Sequence, residues 1–295
     1  MNITILGGAG FIGSRLSQIL LNEGHNVKII DTFIWGFDSI LSLINYDNFY
    51  CIKQDIRDPN LNLDDADIVI LLAAVVGYPS CDRHPDLAWD ININGTQNVV
   101  NQCLNKKIIF ASTGSVYGEL NQICTEEIEP NPISLYSETK LKGEEIVSQI
   151  EGVSLRPATA FGVSNRLRTD LLVNDFVKTI LKENKLTLFE GHFKRTFLSA
   201  YDLARGFKFA IDNYDKLKGS SWNLGDERLN YTKLEIAQII KTKIDYELII
   251  SNLKHDQDGR NYFVDYSKIK NLGFSAHDNI ENSIDKLIMV YKCQN

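Results

Sequence analysis

Met1-Asn-Ile-Thr-Ile-Leu-Gly-Gly-Ala-Gly-Phe-Ile-Gly13 opens the chain, and the reading of this stretch decides the fold. Its short apolar run reads as a strand that enters Gly7-x-x-Gly10-x-x-Gly13. Leu16, Ile19 and Leu20 then recur at helical spacing on one face. Gly24 closes that helix, and Val27-Lys28-Ile29-Ile30-Asp31 reads as a second strand ending in an acid. Strand, glycine turn, helix, strand and acid in this order are the sequence form of a dinucleotide site. Side chains in the turn would hold a pyrophosphate away from the backbone, and the helix N-terminus turns N–H groups and a positive dipole end towards that anion. Gly7, Gly10, Phe11, Ile12 and Gly13 are therefore the expected cofactor contacts. Asp31 stands where a carboxylate can hold the adenosine ribose hydroxyls, and no Lys or Arg follows it until Lys53. A 2′-phosphate would meet a carboxylate there, so the expected cofactor is NAD rather than NADP.

The alternation continues outward. Cys51-Ile-Lys-Gln-Asp55 reads as a short strand, and Asp67-Ile-Val-Ile-Leu-Leu-Ala-Ala74 as a strand buried on both faces. A helix over 87–104, a strand at Lys107-Ile-Ile-Phe-Ala-Ser112, a helix over 136–150 and a strand at Val153-Ser-Leu-Arg-Pro157 follow. This predicts an α/β fold, a doubly wound parallel sheet of Rossmann type. After Gly162 the rhythm changes. The stretch 165–197 reads as mostly helical with a short strand at 186–189, and 198–214 as a strand and helix returning to the sheet. The stretch from 230 onward mixes helices with short strands. The expected division is an NAD-binding domain over 1–164, with a return segment at about 196–225. A smaller mixed α/β substrate lobe would comprise 165–195 and 226–295.

The bulk numbers exclude several classes. The chain has 295 residues, 44% of them apolar, and a formal net charge of −7. That charge argues against nucleic acid as the main partner and requires local arginines to hold any anionic substrate. The longest apolar run, from Ile68 to Gly77, is too short to span a bilayer, so no membrane partner is expected. The first strand begins at Asn2, so no leader is expected. The five cysteines lie far apart without paired spacing for zinc or a redox motif. No metal is expected, and the setting that fits such cysteines is a reducing cytoplasm.

Tyr136-Ser-Glu-Thr-Lys140 places a phenol and an ammonium one helical turn apart on one face. A tyrosine with an unperturbed pKa near ~10 is a poor base at neutral pH. A neighbouring ammonium and a positive nicotinamide ring both favour the phenolate. The other reading of this pair is a solvated helical lysine beside a packed tyrosine. Phe110-Ala-Ser-Thr-Gly-Ser-Val-Tyr-Gly118 lies at the C-terminal end of an expected parallel strand, where ligands bind. Thr113 there can donate to a substrate oxygen, or it can join Ser112 and Ser115 in satisfying turn backbone groups.

Gly7-x-x-Gly10-x-x-Gly13, Asp31, Asp55-Ile-Arg-Asp58, Leu72-Ala-Ala74, Asn92-x-x-Gly-Thr96, Ser112-Thr113, Val116-Tyr-Gly118, Tyr136-x-x-x-Lys140 and Leu155-Arg-Pro157 occur in order. Together they resemble the extended short-chain dehydrogenase/reductases acting on nucleotide sugars, the NAD-dependent epimerase/dehydratase family, over essentially the whole chain. The resemblance implies roles. Tyr136 would take a sugar hydroxyl proton, Lys140 would hold the nicotinamide ribose and support the phenolate, and Thr113 would complete the triad. Asp55 and Ile56 would contact adenine, and Leu72, Ala73, Ala74 and Pro157 would line the cofactor. The hydride would pass from a sugar carbon, usually C4, to NAD. Asn92 would brace the active-site helix. A homodimer would form by packing 87–104 and 136–150 into a four-helix bundle.

The departures from subfamily patterns narrow the chemistry. The 4,6-dehydratases carry an Asp-Glu pair after the catalytic threonine, and the GDP-fucose synthases a cysteine one position further. Here these positions are Gly114 and Ser115. Oxidation at C4 remains, as a 4-dehydrogenase or, with return of the hydride to the other face, a 4-epimerase. For the substrate, a nucleotide-diphosphate sugar, the resemblance implies Asn174 and Arg168 at the entry of the lobe, Arg195, and Arg260 on the pyrophosphate. Arginine suits this task through its fixed fork of donors. Arg166 and Arg168 could equally pair with Asp170 and Asp175 on a surface. Stretches 161–176, 188–195 and 213–219, with Val75-Val-Gly-Tyr-Pro-Ser-Cys81, resemble a branch that includes GDP-heptose 4-dehydrogenases of surface-polysaccharide synthesis. That resemblance leans towards GDP. An NADH-dependent keto-sugar reductase shares every residue named, and a non-catalytic NAD-responsive regulator would share the fold.

Overall fold

The computed structural model describes residues 1–119, 122–251 and 263–293. Seven parallel strands form the central sheet: β1 (Asn2–Leu6), β2 (Asn26–Asp31), β3 (Phe49–Lys53), β4 (Ile68–Leu71), β5 (Lys107–Ala111), β6 (Val153–Pro157) and β7 (Ser221–Leu224). Their order is β7-β6-β5-β4-β1-β2-β3. The chain order reverses at β1, which lies between β2 and β4, and the loops leaving β1 and β4 open a crevice there.

Alternating side chains build a core on each face. Ile3 and Ile5 of β1 face Leu16 and Leu20 of helix Gly13–Asn22 and Leu203 and Phe207 of helix Ala200–Asp212. Leu6, Val69 and Leu71 face Val99 and Val100 of helix Thr96–Gln102 and Ile146 and Val147 of helix Leu135–Ser148. All four residues of β4 are buried, which accounts for its uninterrupted apolar run. A third core gathers Phe161, Val173, Val177, Leu186, Phe197, Ile236, Ile240, Ile284 and Leu287. It fills the second lobe, beneath a sheet of Thr159–Phe161, Lys194–Ser199 and Asn230–Thr232 and a parallel pair, Lys185–Phe189 with Glu247–Ser251.

Three details differ from the sequence expectation. The helix expected over 87–104 is three pieces: α-helix Pro85–Trp89, a π-helical stretch Asp90–Gly95, and α-helix Thr96–Gln102. Apolar periodicity does not register one extra residue in a turn. The segment 165–197, expected to be mostly helical with a short strand at 186–189, holds helix Leu172–Glu183 and then strands Lys185–Phe189 and Lys194–Ser199. Leu186 and Leu188 alternate with exposed Lys185 and Thr187 in the expected strand, whereas the strand after it starts at Lys194, ahead of the 198 at which the sequence placed it. Finally, the described residues of 226–295 divide between two cores. Val264, Tyr266, Ile269 and Phe274 pack with Trp222 and Leu224 on the sheet, whereas Ile280, Ile284, Leu287 and Tyr291 belong to the lobe.

Candidate active site

The crevice is shaped by glycines in two different ways. Gly7 has φ +81°, and a Cβ there would stand 2.6 Å from the Ala73 backbone nitrogen. A Cβ on Gly13 would stand 2.6 Å from Gly8 Cα. These two are glycine because β1 and its helix pack closely on their own chain. At Gly10 a Cβ would meet only the Gly7 carbonyl, at 3.1 Å, and the space beyond is open. Helix Gly13–Asn22 begins with Ile12 as its N-cap and has no side-chain cap; in its first turn Ser14 N–H donates to the Gly10 carbonyl at 3.1 Å. Asp31 ends β2 and takes the Ala9 N–H on Oδ2 at 3.0 Å and the Phe33 N–H on Oδ1 at 2.9 Å. Leu72 and Ala73 both donate to the Leu6 carbonyl at 2.9 Å, which holds the end of β4 beside the glycine turn. With Ala74 next in line, an open glycine cradle, a helix start without a side-chain cap and the Asp31 carboxylate lie around one crevice. This donor set fits NAD.

Asp55 and Ile56 are more committed to the protein than the sequence suggested. Arg57 grips Asp55 with Nε at 2.9 Å and Nη2 at 2.7 Å, and this holds the carboxyl below its ordinary range. Arg57 also donates to Asp90 at 2.7 Å. The Ile56 side chain is buried against Gly95, where a Cβ would come within 2.7 Å of it. An adenine contact here falls to the main chain and to the Asp55 lone pairs that Arg57 leaves.

Helix Leu135–Ser148 starts with a reciprocal cap. Ser137 N–H donates to Ser134 Oγ at 3.2 Å, and Ser134 N–H donates to Ser137 Oγ at 3.1 Å. Tyr136 lies in its first turn, half-buried. One turn on, Lys140 is 2% exposed, with Nζ 4.3 Å from the centre of the Phe110 ring of β5. Gly143 permits this approach, because a Cβ there would lie 2.5 Å from Phe110 Cζ. Burial pushes the Lys140 ammonium down to about 7, against the opposing pull of Cys81 and Glu144. Thr113, two residues beyond β5, caps the turn Gly114–Tyr117 by accepting Ser115 N–H at 3.2 Å. Its hydroxyl also lies 3.0 Å from Ser115 Oγ. Pro157 ends β6 alongside, half-buried. The structure thus collects Thr113, Tyr136, Lys140 and Pro157 at one end of the sheet, next to the crevice. Asn92 accepts Val75 N–H at 2.8 Å and donates to Thr139 Oγ1 at 3.0 Å, so it ties the end of β4 to the Tyr136 helix.

One part of the site escaped the sequence reading. Glu144 and Arg156, each with 6% of its side chain exposed, form a buried ion pair. Arg156 Nε lies 2.9 Å from Oε1 and Nη2 2.7 Å from Oε2. Ser112 donates to the same carboxylate, as does Ser221 at 2.7 Å. Arg156 Nη1 donates to Tyr117 Oη at 3.0 Å, and Tyr117 donates to Asn223 at 2.7 Å. Lys140, Thr113 and the ends of β5, β6 and β7 therefore share one frame. An arginine inside an apolar strand, at Leu155-Arg-Pro157, was the available signal.

On the substrate side the outcomes diverge. Arg195 sits on strand Lys194–Ser199 opposite Tyr231 and is 1% exposed. Asn174 needs correction. It is fully buried, accepts Gly162 N–H at 2.8 Å, and donates to the carbonyls of Gly162 at 3.0 Å and Arg168 at 2.8 Å. A buried amide satisfied this way clamps the lobe entry, and a diphosphate would have to break those bonds. Arg168 pairs with Asp170, the surface alternative weighed above. Arg166 instead reaches back across the chain, its guanidinium 4.5 Å from the Trp35 ring centre. Arg260 lies outside the described residues.

The chain has known relatives in sequence and in fold. Residues 3–225 match the model of the NAD dependent epimerase/dehydratase family. An uncharacterized UDP-glucose epimerase of Bacillus subtilis is 32% identical, with 99% of each chain covered. UDP-glucuronic acid 4-epimerase from Bacillus cereus, solved in complex with UDP-glucuronic acid and NAD, is 28% identical, covers 100% of both chains and has a TM-score of 0.89. UDP-N-acetylglucosamine 4-epimerase from Methanobrevibacter ruminantium, 24% identical with a TM-score of 0.89 over 100% of this chain and 99% of that one, shares the fold. These relatives are named for UDP-linked sugars, where the motif resemblance leaned towards GDP. The chain belongs to the NAD dependent epimerase/dehydratase family, as an enzyme of nucleotide sugars with NAD as its cofactor.

Proposed function

We propose that this chain is a 4-epimerase of a UDP-linked sugar. The observation that carries the reading is the placement of Tyr136 and Lys140, one turn apart, over the end of β5, where Thr113 lies. Bound NAD supplies the acceptor for the hydride of C4. Tyr136 Oη takes the proton of the C4 hydroxyl as C4–H leaves, and Thr113 Oγ1 donates to the same oxygen. The Lys140 ammonium, drawn from water by burial, stabilises the phenolate and holds the nicotinamide ribose. Gly114 and Ser115 offer no carboxylate to drive elimination of water from the resulting 4-keto sugar. The ketone is returned to an alcohol by hydride to its other face and the proton from Tyr136, so no net oxidation occurs. The UDP specificity rests on the named relatives.

The deciding experiment gives purified protein UDP-glucuronic acid, UDP-glucose, UDP-N-acetylglucosamine and GDP-mannose without added cofactor. Interconversion of one C4 pair of UDP-sugars, with no accumulation of NADH, is the expected result. NADH formed in step with a keto sugar would replace the reading with a 4-dehydrogenase. Turnover of the GDP-sugar alone would move it to the other nucleotide.

The same reading includes a homodimer through Pro85–Gln102 and Leu135–Ser148. Leu87 and Trp89 are 44% and 39% exposed there, and Lys142 lies 5.6 Å over the Trp89 ring. Exposed apolar side chains on Pro85–Trp89, beside the second helix, suit a partner of the same kind. Sedimentation velocity at micromolar concentration should show a species of twice the 33.4 kDa chain mass. A single monomer boundary would remove this part of the proposal.

A further inference from the structure

Between Gly162 and helix Leu172–Glu183 the chain crosses the mouth of the cofactor crevice. Ser164 donates to the Phe11 carbonyl of the glycine turn at 2.5 Å, and its hydroxyl lies 3.4 Å from Ser14 Oγ. Asn165 donates to the Ser39 carbonyl at 3.3 Å, and Ser39 in turn donates to the Ala9 carbonyl at 2.7 Å. Arg166 then places its guanidinium 4.5 Å from the Trp35 ring centre. Trp35 is 71% exposed, four residues beyond Asp31, on a loop that also exposes Ile34 and Phe37. Asp31 itself holds the Ala9 N–H. The contacts therefore close a ring: Asp31 to Ala9, along the glycine turn to Phe11, across to Ser164, on to Arg166, over to Trp35, and back along the loop to Asp31. Trp35 joins none of the buried cores, and with Ile34 and Phe37 it makes an exposed apolar cluster of the kind that marks a contact site. An arginine placed over that ring covers part of the cluster and joins two segments that are distant in sequence.

We propose that Ser164, Asn165 and Arg166, closing on Trp35, form a clasp over the adenosine end of the crevice that retains NAD between turnovers. The clasp deepens the epimerase reading, and rests on it, because an enzyme that returns its hydride has no need to exchange the cofactor. Arg166 thereby acts on cofactor retention and not on the sugar diphosphate.

The test measures release directly. Protein loaded with radiolabelled NAD is diluted into excess unlabelled NAD, and the label retained is followed by rapid filtration. Trp35→Ala and Arg166→Met should each release NAD up to about fivefold faster than the wild type, in line with one exposed cation–π contact. Trp35→Phe keeps a ring and should stay within about twofold. The double variant Trp35→Ala/Arg166→Met should be no faster than the faster single, since both remove the same contact. Release unchanged in both single variants would overturn the clasp, as would a double variant whose effects multiply. Wild-type protein that loses its label within the mixing time would overturn it too, whatever the sugar assays show. Slow release that both single substitutions accelerate, in a protein that interconverts no C4 pair, would keep the clasp and remove the epimerase.

Discussion

Tyr136→Phe is expected to lower kcat by about 10²–10⁴-fold, the usual contribution of a positioned proton-transfer group. The change removes one oxygen and keeps the ring. Tyr136 is half-buried in the first turn of a helix whose cap is made by Ser134 and Ser137, so the start of that helix does not rest on the phenol oxygen. The thermal midpoint and the amount of NAD retained should therefore stay close to wild type while turnover collapses. Steady-state assay of C4 interconversion, with the NAD content of the same preparation measured after denaturation, separates these effects. A fall of less than tenfold would mean that another group moves the proton and that the Tyr136–Lys140 turn is packing. A fall accompanied by loss of NAD would mean that Tyr136 binds the cofactor more than it serves the chemistry.

How much of this site was legible in the sequence depends on how local its parts are. The glycine turn with its flanking strand and helix lies within twenty-two residues, where Gly7 and Gly13 answer demands of neighbouring backbone and Gly10 leaves the turn open. Tyr136 and Lys140 share one helical face, so their spacing alone places them together. The π-helical stretch Asp90–Gly95 was invisible, because a single inserted residue leaves the apolar pattern almost intact. Side-chain commitment was invisible for a different reason. Asn174 and Asp55 carry groups that a ligand could use, and only the fold shows that Gly162 and Arg168 have taken the first and Arg57 the second. Arg166 and Trp35 meet across most of the first half of the chain, and no periodicity predicts such a pair. The lobe was read least well, since its strands are short and its tail returns to the sheet through Tyr266 and Phe274.

Glu144→Gln tests the frame behind the triad. The substitution keeps shape and volume but leaves the Arg156 guanidinium charged in a site where only 6% of either side chain is exposed. Removing one partner of a buried pair costs about 3–5 kcal/mol, because the other charge stays behind without compensation. The denaturation midpoint in urea should fall accordingly. An exposed pair sets the scale: Asp90→Ala removes one Arg57 contact where the side chains are 34% and 46% exposed, and should move the midpoint far less. The double variant Glu144→Gln/Arg156→Met removes the stranded charge and should recover part of the loss, so the two substitutions will not add. A Glu144→Gln protein as stable as Asp90→Ala would show that water or local rearrangement relieves Arg156, and the frame would then be too soft to position Ser112 and Lys140. If the stability loss occurs as expected, the surviving folded fraction should still show a lowered kcat. Glu144 lies one turn beyond Lys140, opposes the effect of burial on its ammonium, and holds Ser112 next to Thr113. Stability and catalysis draw on the same carboxylate, because the buried charge that the fold tolerates here also works, behind Cys81, against the effect of burial on the lysine.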